Sequence, residues 1–101
     1  MKKVYWLEKA NNDLEQIYNF ISQDSIYYAI KTINSIYAKT EIIMLYPYIG
    51  RAVLEIDNKM IREYIYKSYR IIYKIDSDII LILRVWHSAR KFSKETIKNN
   101  K

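Results

Sequence analysis

The spacing of apolar residues changes character midway along this chain. Between Ala10 and Leu45 they recur every three or four positions, the period of a helix; between Met60 and His87 they alternate or run together, as in strands. In the first region Ala10, Leu14, Ile17 and Ile21 fall on one helical face, with Tyr18 beside them, and Asn11, Asn12 and Asp13 near the start can cap orphan amides and favour the dipole. Gln23-Asp24-Ser25 ends that helix and begins another, predicted over about Ile26 to Leu45. Its stripe is Ala29, Ile33, Ile36, Thr40, Ile43 and Leu45, widened by Tyr27, Tyr28 and Tyr37. Pro47 stops it, because Tyr46 before a proline is driven from helical angles. Gly50 permits a turn into Arg51–Glu55, a loop or short strand, and Asp57-Asn58-Lys59 makes a further turn. Ahead of the helices, Lys3–Leu7 reads as a short strand whose lysines suit a sheet edge.

The second region reads as three strands. Ile61–Lys67 turns back through Lys67-Ser68 onto Tyr69–Ile75, and Asp76-Ser77-Asp78 turns that strand onto a third ending near His87. Tyr69, Ile71, Tyr73 and Ile75 point one way; Arg70, Ile72 and Lys74 point the other; Arg62, Tyr64 and Tyr66 share a face. The last strand is apolar almost throughout, which suits a central position. This pattern puts basic side chains among aromatics on one sheet face. The order is β-α-α-β-β-β, an α+β fold with a helical hairpin on one face of a small, mostly antiparallel sheet. The other face is expected to stay open for a partner.

Composition narrows the class. The chain is 101 residues long, enough for one domain with a modest core, and it has no cysteine, so no disulfide or thiolate metal site supports it. Residues 1–92 are read as that domain and 93–101 as a basic tail that forms one weak turn or frays. The N-terminus lacks an apolar signal region and no apolar run approaches a membrane span, so a cytoplasmic location is expected. A single glycine and a single proline exclude Gly-rich phosphate loops and flexible linkers. Net charge is +6 and unevenly placed: residues 1–58 hold six Lys/Arg and seven Asp/Glu, residues 59–101 eleven and four. A strand-rich half carrying +7 points to a polyanion or an acidic protein as partner.

Several marks in order resemble the RelE/ParE superfamily of toxins from bacterial type II toxin–antitoxin systems. They are Ala10-x-x-Asp13-Leu14-x-x-Ile17-x-x-Phe20-Ile21, Leu45-x-Pro47-x-x-Gly50-Arg51, Ile61-Arg62-Glu63, Tyr69-Arg70-Ile71-Ile72-Tyr73-x-Ile75 and Val85-x-His87-x-x-Arg90. The resemblance covers roughly residues 4–92. It implies a small cytoplasmic toxin neutralised by a cognate antitoxin from an adjacent gene, with no cofactor and no metal. It leaves two targets: ParE-like members poison DNA gyrase, RelE-like members cut mRNA on the ribosome. An inactive relative that only binds its antitoxin is the third reading. The His-Ser-Ala-Arg ending and the lack of tyrosine after Tyr73 look more like the ParE branch. Homodimer and toxin–antitoxin heterotetramer both stay open.

On the RelE-like reading the catalytic candidates are Arg70, His87 and Arg90: two cations for developing phosphate charge and one imidazole for proton transfer. Arg62, Lys74, Tyr64, Tyr66 and Arg51 are the candidates for binding target or phosphate. The competing reading is structural: Arg70 paired with Glu63, His87 bonded to backbone at a strand end, and tyrosines packed against their neighbours. Because Arg70 alternates away from Ile71 and Tyr73, it is expected to be exposed, and its removal to change stability by less than about 1 kcal/mol.

Overall fold

The structure, a computed structural model, describes residues 2–98. Strand β1 (Lys3–Trp6) leads into helices α1 (Glu8–Ser22) and α2 (Ile26–Leu45). Then follow β2 (Arg51–Ala52), β3 (Ile61–Tyr66), β4 (Tyr69–Asp76), β5 (Ile79–His87) and a short α3 (Lys94–Lys98). The sheet runs β1-β5-β4-β3-β2; β1 lies parallel to β5 and the other pairs are antiparallel. The helical hairpin, the three consecutive strands and an interior last strand agree with the sequence pattern.

The caps divide. Ser25 accepts the Tyr28 N–H at 3.2 Å and starts α2. Helix α1 instead begins at Glu8 after Leu7, which offers no side-chain cap, so Asn11, Asn12 and Asp13 lie inside the helix rather than capping it.

Two apolar clusters lie on opposite faces of the sheet. Under the helices, Ala10, Leu14, Ile36 and Ile43 meet Ile71, Tyr73, Ile75, Ile80, Ile82 and Val85. On the other face Ile61, Ile72, Leu83 and Trp86 are covered by Val53, Phe92 and, partly buried, Ile56 and Ile97. That face was expected to be open; the 53–60 segment and the chain after Arg90 close it, because Ile72, Leu83 and Trp86 are too apolar to leave in water. Alternation cannot serve both faces without a break. The register moves from Ile72↔Arg84 to Tyr73↔Ile82, making Leu83 an extra residue in β5. This bulge puts Ile80, Ile82 and Val85 under the helices while Leu83 stays on the far face.

The α2 stripe is narrower than its sequence suggests. Ala29, Ile36, Thr40 and Ile43 are buried, but Leu45, Tyr27, Tyr28 and Tyr37 are exposed. Tyr37 rests tilted against Trp6, with ring centroids 5.2 Å apart.

The lone glycine is required for space rather than for its dihedral angles, since its φ is not positive. A Cβ on Gly50 would sit 2.6 Å from the Glu63 carbonyl oxygen and 2.6 Å from the Tyr73 hydroxyl. That hydroxyl accepts the Gly50 N–H at 3.0 Å and donates to the Pro47 carbonyl at 2.5 Å, pinning the helix-to-sheet corner to β4. The left-handed angles fall to Lys67 and Ser77, in the two-residue turns of the hairpins.

Candidate functional site

The strand pairing separates the residues expected to form one basic face. Arg62, Tyr64 and Tyr66 pair with Tyr73, Ile71 and Tyr69 and therefore face the helices. Arg70 and Lys74 pair with Ile65 and Ile61 and face the opposite way. The face-sharing of Arg62 with Arg70 and Lys74 thus fails, because antiparallel partners share a face and consecutive residues do not.

Arg70 is not an exposed strand arginine. Its side chain is 13% exposed and lies over the Phe92 ring, 4.7 Å from the centroid. Its Nε donates to Glu63 at 2.5 Å, and its two terminal nitrogens donate to the Glu55 carboxylate at 3.1 and 2.9 Å. Glu63, 2% exposed, also accepts from the Nε of Arg51 at 2.8 Å. One buried carboxylate therefore joins β3, β4 and the β2 edge, while Glu55 ties in the loop that covers the far face.

The hydrogen bonds from Arg70 hold the Glu55 carboxyl below its ordinary value of 4.5. A folded-state pKa below the unfolded one gives stability that is complete above the unfolded value and is lost as pH falls through the folded value. The urea midpoint is therefore expected to decline once pH drops below about 4.5, and Glu55→Gln to reduce that decline. A Glu55→Gln profile parallel to the parent's at acid pH would show that this pair does not contribute.

Arg62 is also engaged: its Nε donates to the Gly50 carbonyl at 2.7 Å, one terminal nitrogen reaches the Lys59 carbonyl at 3.3 Å, and the guanidinium lies over Tyr48. Tyr64 and Tyr66 are half-buried beneath Lys39 of α2, whose ammonium sits 6.0 and 5.7 Å from their rings; Lys67 covers Tyr66 at 5.6 Å. Arg51 stands at the sheet edge, 69% exposed.

His87 and Arg90 do come together. With Asp13, Gln16, Ile17 and Phe20 of α1, and with Tyr69 and Val85, they line an open cleft of about 300 Å³. His87 Nδ1 accepts the Ala89 N–H at 3.0 Å, and Tyr69 meets the imidazole edge-on with centroids 5.4 Å apart. Burial pushes the Tyr69 hydroxyl above its ordinary pKa, so it stays neutral. Arg90 lies 4.1 Å over the Trp86 ring. Sequence reasoning assigned no part of this cleft to Gln16 or Phe20. The signal was available as the stripe 13, 16, 17, 20, one helical face beside the core stripe.

The cleft floor depends on Asp13. Strand β1 pairs with β5 only from Ile79 to Ile82, and the Leu7 N–H closes that ladder on the Ile82 carbonyl. Beyond it β5 has no strand neighbour on that side among the described residues. The Asp13 carboxylate takes the vacant place: one oxygen accepts the Val85 N–H at 3.0 Å, and the two oxygens receive Arg84 at 2.8 and 2.9 Å. Arg84 continues to the Thr96 carbonyl at 3.3 Å, connecting α1, β5 and α3.

Residues 4–92 match the family model for the ParE toxin of the type II toxin-antitoxin system parDE. The chain belongs to the ParE toxin family. No curated protein matches it. Among solved structures it is similar to the chromosomal ParDE TA system from P. aeruginosa, with 19% identity over 86% of this chain and 96% of that one. A TM-score of 0.72 makes the fold the same. In this ParE-family chain the matched span holds Asp13, the 47–51 corner, Arg70 and the His87–Arg90 turn; α3 lies beyond it. Among the described residues no helix is long and apolar enough to cross a membrane, and no group of His, Asp or Glu could hold a metal ion.

Proposed function

We propose that this protein is the toxin of a type II toxin–antitoxin pair, acting in the cytoplasm on DNA gyrase rather than as a nuclease. The observation that carries the choice of target is the separation of Arg70 from His87. His87 pairs with Tyr69 on the helix side; Arg70 pairs with Trp86 on the other and already serves two carboxylates. A catalytic arginine for phosphate would have to leave both glutamates. Membership of the ParE rather than the RelE family supports the same reading.

A second reading, ribosome-dependent mRNA cleavage, rests on His87 and Arg90 sharing the α1 cleft, with Arg51, Lys74, Tyr64 and Tyr66 as further target contacts. Expression without an antitoxin is expected to arrest growth. Supercoiling, the DNA-damage response and mRNA ends, followed together, separate the readings. Relaxed or broken DNA with intact messages supports gyrase, ribosome-phased cuts support RNA cleavage, and unimpaired growth at full soluble expression leaves only antitoxin binding.

The antitoxin is expected to cover the outer side of α2. Ile26, Tyr27 and Ile30 are exposed there beside Lys31, the arrangement that suits an amphipathic segment with apolar residues on one side and Asp or Glu on the other. The similar P. aeruginosa structure is itself of a ParDE TA system, which supports a protein partner for this chain.

A further inference from the structure

The outer edge of β3 is half used. Strand β2 pairs only with Arg62 and Glu63, so Tyr64, Ile65 and Tyr66 have β4 on one side and no strand of the described residues on the other. Alternate residues of an antiparallel strand turn N–H and C=O outward; Tyr64 and Tyr66 bond β4, so Ile65 is the residue of this stretch whose N–H and C=O face the open edge. Proteins blunt such edges with proline, bulges or charge. Here neither proline nor bulge interrupts residues 64–66, and a lysine, Lys67, stands at their end.

The edge also has a hollow on each side. One, of about 210 Å³, is lined by Ile49, Gly50 and Tyr64; the other, of about 330 Å³, by Leu54, Ile65, Glu55 and Arg70; Arg51 and Glu63 border both, and the two carboxylates are already engaged by Arg51 and Arg70. Leu54 is 92% exposed and Ile65 42%. An added strand sends successive side chains to opposite faces, so it would fill both hollows in turn.

We propose that this edge accepts an extended, acidic segment of a partner protein as a further strand of the sheet. The partner's backbone completes the hydrogen bonding of Ile65, its apolar side chains occupy the hollows, and its carboxylates meet Arg51 and Lys67. Charge decides the class of partner. Arg51 engages Glu63 through Nε and is otherwise open to water, and Lys67 stands exposed at the far end. Two copies meeting edge to edge would bring these cations together, which disfavours self-pairing. The proposal is independent of whether gyrase or RNA is the target.

The test uses the full chain and a labelled, N-acetylated peptide of alternating valine and glutamate, read by fluorescence anisotropy. Binding is expected, with slower deuterium exchange at the Ile65 amide. N-methylating alternate amides of the peptide keeps its charge but removes its donors. This is expected to weaken binding about tenfold, the loss of roughly one backbone hydrogen bond. Ile65→Lys should weaken it similarly, and a valine–lysine peptide should not bind. Because the N-methyl comparison uses the unaltered chain, the test survives if Ile65→Lys fails to fold. Equal binding of the parent and N-methylated peptides, no binding of either, or a dimer of the free chain that protects the Ile65 amide would overturn the proposal. Growth arrest and supercoiling are measured without the peptide, so failure here leaves the proposed target untouched.

Discussion

Asp13→Ala is expected to lower stability by about 3 kcal/mol or more, the scale for removing one partner of a buried ion pair. Asp13 is 6% exposed and Arg84 has a side-chain exposure of 14%, so the guanidinium left behind regains little water in the variant. Two losses add. Among the described residues Arg84 keeps only the Thr96 carbonyl as an oxygen partner, and the Val85 N–H faces the place where β1 has already ended. A buried donor left unmet costs about 1–3 kcal/mol by itself. Asp13→Asn retains an acceptor for Val85 but loses the charge facing Arg84, so it should fall between parent and alanine variant. Urea unfolding measures all three. A loss below about 1 kcal/mol for Asp13→Ala would mean that water replaces the carboxylate at the strand edge.

The second large effect is at Arg70. Arg70→Ala removes the partner of Glu55 and leaves Glu63, 2% exposed, with Arg51 alone. The cost is set at about 2–4 kcal/mol: breaking a buried pair costs somewhat more, but Arg51 keeps part of the charge compensation. It also removes the cation from the Phe92 ring and so loosens the chain that covers the far face. Replacing both members, Arg70→Met with Glu63→Met, is expected to recover much of the loss, because no uncompensated charge then stays buried. If the single variant unfolds at the parent's midpoint, the network is decorative. Any loss of toxicity in Arg70→Ala has to be compared with its folded fraction, since an unfolded toxin is inactive whatever its arginine does.

The Arg70 result reverses an expectation drawn from the sequence, and the reason is specific. Alternation correctly put Arg70 opposite Ile71 and Tyr73, but being on the far face was equated with being in water. Whether that face is wet depends on what lies over it. Val53, Ile56, Phe92 and Ile97 come from segments with no clear periodicity, so nothing local announced that they form a second layer. Glu55 and Glu63 were likewise eight residues apart on a loop and a strand, and only the fold directs both at one guanidinium.

The cleft has a similar history. His87 and Arg90 were legible as a polar ending to an apolar strand. That α1 stands over them, and that Phe20, 73% exposed, forms part of the wall, follows from α1 packing on β5 where β1 has stopped at Trp6.

The sequence by itself determined the order of the main elements, though not the short β2 and α3, and with it the helical hairpin, the two tight hairpin turns, the proline stop at the corner and the basic bias of the second half. These are local: they depend on period, on a few residues with restricted dihedral angles and on summed charge. Tertiary structure alone decided the strand order, the parallel seat of β1 beside β5, the bulge at Leu83, the reason Gly50 must lack a Cβ and the roles of Asp13 and Arg70. Each of these depends on groups that strand pairing and packing bring together in a space too small or too dry to leave them unpaired, and the local period does not record which partners meet.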